Sequence, residues 1–436
     1  MIDGERQTPP IVAWSALDVG GTKLRVLLFT RGEDGTWQVA ARVQRRTPRG
    51  IPRLLAAVRS ALAEAAAFAA NRGLALAPAL VAGTPGRYQP DAAGRRVIAP
   101  RSAMNLEAAP GETDNLDMQA ALAAGVGLPI DRVFVDNDAV VQGRHLIQLL
   151  LDDPATRPRL LDQRVVCINP GTGLGGCVAA VNPAGAIEVF TDGHVSELSL
   201  QPFSFAQLVG DVKVKVATTD AIDRYQIEFF GRGRGHALTL ASKSGKQAED
   251  LIAGAGMAAF AQALDAGLSA LGCDAPLLSE ARRLDPIDAK VDGKLLSACL
   301  ALGRSEPVSE LAQAAARCVA ALAGAALFEL SRRLHLGSAH KGAGFPEWSA
   351  DDVDRLRGVR CFVLGGGIAR EPLGQEIAKQ ARGRWRDCEV ELFALPEVTD
   401  EAGARGALSL VPEAVRAQIE RAALAQPWRP TRPDAD

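Results

Sequence analysis

The stretch Ala16-Leu17-Asp18-Val19-Gly20-Gly21-Thr22-Lys23-Leu24-Arg25 constrains this chain more than any other. An apolar run from Ile11 to Leu17 leads in, and a β-type run from Leu24 to Thr30 leads out. The segment therefore reads as strand, very tight turn, strand. Glycines at the turn let backbone N–H groups approach an anion closely. Thr22 adds a hydroxyl donor, and Lys23 and Arg25 add positive charge. A carboxylate at Asp18, just ahead of the turn, suits a magnesium shell reached through water. The segment is not a P-loop, because Gly-x-x-x-x-Gly-Lys-Ser/Thr is absent and no helix follows. Taken alone it reads equally well as an ordinary hairpin with Gly-Gly at its turn. A second copy tips the balance. Arg164 to Asn169 is another apolar strand, Pro170-Gly171-Thr172-Gly173-Leu174-Gly175-Gly176 follows, and Cys177 to Val181 resumes as a strand. Two such turns would grip one polyphosphate from two sides.

With 436 residues the chain can hold two or three domains with sizeable cores. A net charge of −2 argues against a mainly electrostatic nucleic-acid binder. Seven scattered cysteines without a Cys-x-x-Cys pair suggest reduced thiols in a cytoplasm and no structural zinc. No basic-then-apolar signal segment opens the sequence, and no run reads as a bilayer span. The expected setting is cytoplasmic, with no membrane and no nucleic-acid partner.

Strands are predicted at 12–18, 24–30 and 36–44, and an amphipathic helix at 51–71 from Ile51, Leu54, Leu55, Val58 and Leu62. A short buried strand covers 79–83, 87–115 is loop-rich, and a helix near 116–125 precedes a strand at 132–136. A helix from Ala139 to Leu151 follows. The second Gly turn then repeats the three-strand order, with its third strand at 186–190. Residues 201–248 are the least legible; 211–218 and 226–230 read as strands, and Gly231 to Gly235 as a mobile basic loop. Helices are predicted at 256–271, 308–335, 368–382 and 403–425, and strands at 360–364 and 389–394.

Asp138 lies just past a buried strand at a helix start. It reads as a plain N-cap or as a general base that takes a hydroxyl proton during attack on a γ-phosphate. Asn137 beside it would fix a substrate hydroxyl, and Asp136 is the competing carboxylate. Gly365-Gly366-Gly367 follows a buried strand and opens a helix, which suits a flat group on bare backbone with a phosphate nearby. Glu197 and Glu249 are isolated glutamates, a type usually solvated. The five histidines show no metal spacing.

The order of these motifs resembles the ASKHA superfamily of acetate and sugar kinases, heat-shock ATPases and actin. Within it the chain resembles the ROK and bacterial glucokinase families, over about residues 14 to 411. Leu17 to Arg25 and Gly171 to Gly176 resemble the two phosphate motifs. Gly83-Thr84-Pro85-Gly86 resembles the Gly-x-Pro-Gly turn, and Asn105-Leu106 the sugar-side loop. Asp136-Asn137-Asp138-Ala139 resembles the segment holding the catalytic aspartate. Glu249 to Met257 resembles Glu-x-x-x-Ser-Gly-Pro-Gly-Leu, with Ala253 and Ala255 replacing Ser and Pro. Leu364 to Ala369 resembles the adenosine motif, and Asp400 to Ala407 the terminal Asp-x-Ala-x-x-x-Gly-Ala segment.

The resemblance implies an α/β fold of duplicated actin-like ATPase (ribonuclease H-like) domains, with mixed sheets and an interdomain cleft. The first lobe would span 11–141 plus a returning helix at about 411–426, and the second 142–410 with an insertion at about 201–248. It implies ATP-dependent phosphorylation of a hexose or related sugar hydroxyl, with ATP and Mg2+ as cofactors. Asp138 would be the base. Asp18, which organises magnesium through water, would share the ATP site with Gly20, Gly21, Thr22, Lys23, Gly171, Thr172, Gly173, Gly365, Gly366 and Gly367. Asn105, Asn137, Glu197 and Glu249 would face the sugar. A homodimer is compatible with this reading. Two departures stand out. The ROK zinc signature is absent, so no zinc is expected, and Leu200 occupies the place of a sugar-binding histidine. The alternative is a non-catalytic sugar- or nucleotide-sensing protein that keeps the fold.

Overall fold

The structure, a computed structural model, describes residues 10–171, 173–191, 194–220, 224–242, 247–301, 307–340, 350–385, 390–394, 396 and 401–430. Thr172, Asp400 and the start of the expected 389–394 strand lie outside the described residues. The chain divides into unit 1, residues 1–145 with 400–436, and unit 2, residues 146–399.

Unit 1 opens with β1 (Val12–Val19), β2 (Lys23–Arg31), β3 (Trp37–Arg46) and α1 (Ile51–Asn71). It continues with β4 (Ala75–Thr84), a hairpin of β5 (Tyr88–Pro90) and β6 (Arg96–Ile98), α2 (Met118–Val126) and β7 (Val133–Asn137). The sheet order is β3-β2-β1-β4-β7, antiparallel across β1–β3 and parallel from β1 through β4 to β7. Strand alternation sends Ala13, Leu17 and Val19 to the α1–α2 face and Trp14 and Ala16 to the other. Asp18 belongs with that second set by register.

From unit 1 the chain passes along α3 (Asp138–Asp152) into β8 (Gln163–Pro170), β9 (Leu174–Val181) and β10 (Ile187–Thr191). The expected 201–248 insertion is a four-stranded antiparallel sheet of β11 (Ser204–Val209), β12 (Val212–Thr218), β13 (Arg224–Gly231) and β14 (Arg234–Ala241). The mobile basic loop expected at 231–235 is instead a two-residue hairpin turn. Arg232 and Gly233 both have positive φ, at 52° and 69°, as hairpin turns of this kind require. Arg232 is pinned by donating to Gly272 O at 2.8 Å. The sheet's inner face, including Val212, Val214, Val216, Tyr225, Ile227 and Phe229, is buried in the unit 2 core.

Next come α4 (Gln247–Ile252), α5 (Gly254–Ala270), α6 (Pro276–Leu284), α7 (Gly293–Leu300), α8 (Glu310–Leu336) and α9 (Ala350–Leu356). The sequence reading missed α4, α6 and α7, which are short. β15 (Cys361–Leu364) leads to α10 (Gly366–Ala369), α11 (Pro372–Arg384) and β16 (Leu392–Ala394). The single helix expected at 368–382 is broken, because Pro372 starts a new helix and cannot continue the old one. The main sheet of unit 2, β10-β9-β8-β15-β16, repeats the order and strand directions of the unit 1 sheet.

The closing helices α12 (Ala402–Leu408) and α13 (Glu413–Ala425) return to unit 1. The expected boundary near 410 is corrected here: α12 packs on β1 and β4, so the segment from 401 belongs with the first sheet. By length and hydropathy α1 and α8 could both cross a membrane, against the expectation that no run would. The most apolar stretch of α8 is 72% buried inside the protein.

Candidate active site

In unit 1 the first Gly turn is closed by Gly20 N donating to Lys23 O at 2.8 Å. Thr47, which the motif reading overlooked, clamps it from β3's end. Its hydroxyl donates to Gly20 O at 2.7 Å and its amide to Thr22 O at 3.1 Å. A Cβ added at Gly20 would meet only Lys23 O, at 3.5 Å, so the tip is open. One at Gly21 would lie 3.0 Å from Asn105 Nδ2, which sets Asn105 beside the first Gly turn. Lys23 is exposed at the start of β2.

Asp18, one residue before the end of β1, has its Oδ2 accepting from Arg25 Nη1 at 3.0 Å. A Cβ on Gly403 of α12 would stand 2.8 Å from Asp18 Oδ1, so the bare glycine is what leaves room for the carboxylate. Asp138 is the first residue of α3, and its Oδ1 accepts from the Ala139 amide at 2.9 Å. Desolvation, and secondly the charge of Asp18, push its carboxyl up to about 7. The N-cap role weighed for Asp138 belongs to Asn137, whose Oδ1 accepts from Ala139 N at 2.9 Å and Val140 N at 3.2 Å. Asn137 Nδ2 also donates to Gly86 O at 2.8 Å, so this buried amide holds the Thr84–Gly86 turn to the helix start. Asp136 is buried in an ion pair with Arg96 and accepts from Asn137 N at 2.8 Å.

In unit 2 three glycine segments meet. Gly171 N donates to Gly173 O, and Gly254 N donates to Gly171 O, both at 2.8 Å. Gly365 N donates to Ile168 O at 2.9 Å. Gly366 has φ +76°, and a Cβ there would lie 2.5 Å from Pro170 O. A Cβ at Gly367 would meet nothing within 4 Å, leaving bare backbone open beside the cradle. Glu249 flanks the same turn, with Oε1 3.3 Å from a Cβ built on Gly173. Glu197 is buried at the end of a 3-10 turn, His194–Glu197. Leu200 is fully buried in the hydrophobic core of unit 2. Leu200, expected at the place of a sugar-binding histidine, thus has its side chain packed in that core.

Asp18, Gly20–Lys23, Asn105, Asn137 and Asp138 thus belong to unit 1, and Gly171, Gly173, Glu197, Glu249 and Gly365–Gly367 to unit 2. Among the described residues, no three His, Cys, Asp or Glu side chains gather as a metal site.

No protein-family model and no curated protein matches the chain. Solved structures do. A ROK family glucokinase from Streptomyces griseus, in complex with glucose and AMPPNP, is 18% identical with a TM-score of 0.53, covering 92% of this chain and 99% of its own. The chain has the ROK sugar-kinase fold. A glucokinase from Balamuthia mandrillaris in complex with glucose matches at 13% identity and TM-score 0.52, covering 92% of this chain and 93% of its own. A ROK family transcriptional regulator, a homolog of the E. coli MLC protein, matches at 14% identity and TM-score 0.53, covering 95% and 81%. Kinases and a regulator share the ROK fold, so activity has to be argued from the residues at the turns.

Proposed function

We propose that the protein transfers the γ-phosphoryl group of ATP to a hydroxyl of a hexose or related sugar in the cytoplasm. The observation that carries this reading is Asp138, a carboxyl at the start of α3 with its proton affinity raised to about 7 beside Asp18. A base so poised is half-ionised near neutral pH, where it can still accept a proton effectively. Asp138 takes the sugar hydroxyl proton as that oxygen attacks the γ-phosphorus, and ADP leaves. Bound ATP supplies the phosphoryl group and Mg2+ screens its charge.

The residues fit both. Open glycine tips at Gly20 and Gly171 suit phosphate oxygens, and the bare backbone at Gly367 suits adenosine. Asp18 is already held by Arg25, so it would meet magnesium through water. Asn105, Asn137, Glu197 and Glu249 take the sugar side. The test is a screen of hexoses, N-acyl hexosamines and deoxyhexoses with MgATP, read by ADP release. Turnover of at least one sugar is expected. Sugar or nucleotide binding by thermal shift without any turnover would favour the non-catalytic sensor.

A further inference from the structure

We infer that Gln247 is a positioning residue, the joint through which the β11–β14 sheet holds Glu197 and Glu249 in place. This rests on the sugar-side assignment of those two carboxylates. Gln247 and Tyr225 are both fully buried. The Gln247 side-chain Oε1 accepts from Leu200 N at 2.8 Å and from Ser199 Oγ at 3.1 Å. Its backbone carbonyl accepts from the Tyr225 hydroxyl of β13 at 2.8 Å. One residue on, Ala248 N donates to Leu198 O at 3.3 Å. Two segments, 198–200 and β13, therefore converge on the first turn of α4.

The geometry makes this more than general packing. Glu249 lies two residues after Gln247 on α4, and Glu197 lies just ahead of the Ser199–Leu200 pair that Gln247 grips. Each carboxylate therefore lies two residues from the Gln247–Ser199 contact. Arg333 of α8 secures the same segment beyond Leu200, donating to Pro202 O at 3.2 Å. The β11–β14 sheet enters through Tyr225, whose ring is locked in the sheet's buried face and whose hydroxyl reaches α4. Buried polar groups held on every side fix one geometry, and losing one partner leaves the others unsatisfied. Leu200 joins the brace through its backbone amide while its side chain fills the core.

Tyr225→Phe removes one hydroxyl with little change of volume, and Gln247→Met removes the acceptor at similar length. Each is expected to raise the sugar KM by about tenfold while the ATP KM stays within about twofold. Gln247→Glu, which keeps the acceptor oxygen, should recover most of the sugar affinity. Hydrogen exchange of the unliganded protein should quicken in 195–200 and 247–252 for Tyr225→Phe and Gln247→Met, and stay unchanged in α10 and α11. Unchanged exchange in those two segments overturns the brace. A parallel loss of sugar and ATP affinity, or an unchanged sugar KM, overturns the positioning role. If the wild type turns over no sugar, the kinase reading fails and the exchange result still decides the brace. Should Gln247→Met fail to fold, Tyr225→Phe carries the same comparison.

Discussion

Asp138→Asn separates a working base from a capping residue, because the structure sets opposite signs for its effects on activity and stability. The carboxyl rises from an ordinary 3.8 to about 7 in the folded chain. At 1.36 kcal/mol per unit, ionising it in place costs at most ~4 kcal/mol. The folded state holds the proton more tightly than the unfolded one, so wild-type stability is undiminished below pH ~4 and falls as pH rises toward ~7. Asparagine carries no such penalty. Asp138→Asn should therefore melt at a higher temperature than wild type at pH 8, by several degrees, and the gap should close as pH falls to about 4. Turnover should drop by ~10²-fold or more, with ATP-analogue binding near normal. The assays are differential scanning calorimetry at pH 4, 6 and 8 and steady-state kinetics at pH 8. A variant less stable than wild type at pH 8, or a pH-independent gap, refutes the account of a strained, desolvated carboxyl. Full activity in Asp138→Asn with a dead Asp136→Asn identifies the other carboxylate as the base.

Removing the Asp18 charge by Asp18→Asn should lower the Asp138 pKa, moving the acid limb of the kcat/KM profile to lower pH even as maximal rate falls; an unmoved limb breaks the proposed coupling. Gly366→Ala places a Cβ 2.5 Å from Pro170 O at a residue with φ +76°, so it should cost ~2 kcal/mol or more and weaken ATP-analogue binding, measured by calorimetry. Leu200→His should lower the melting temperature by burying an imidazole in the apolar core of unit 2, without improving glucose turnover. A gain in glucose kcat/KM from that variant would restore the specificity role that its position denies it.

Much of the fold was legible because its determinants are local. The apolar spacing from Ile51 to Leu62 sets α1 at 51–71, and the glycine turns between apolar runs mark the β1–β2 and β8–β9 corners. Single-sequence patterns also placed Asp18 near a strand end, Asp138 at a helix start and the three glycine segments at turns, since turn chemistry is written within a few residues. Partners distant in sequence were not legible. Asp136 pairs with Arg96, Asn137 reaches Gly86, and Thr47 clamps the first Gly turn. The same holds for the 201–248 insertion. Its hairpin turn resembles a loop by composition, and β14 carries too few β-branched residues to announce itself. Leu200 shows the division most plainly: the motif order set its place in the chain, but only the packing of β11–β14 against the helices of unit 2 decided that its side chain would leave the site for the core. Sequence determines what each short segment can become. Tertiary structure decides which buried polar group meets which partner, because that depends on groups tens of residues apart being desolvated together.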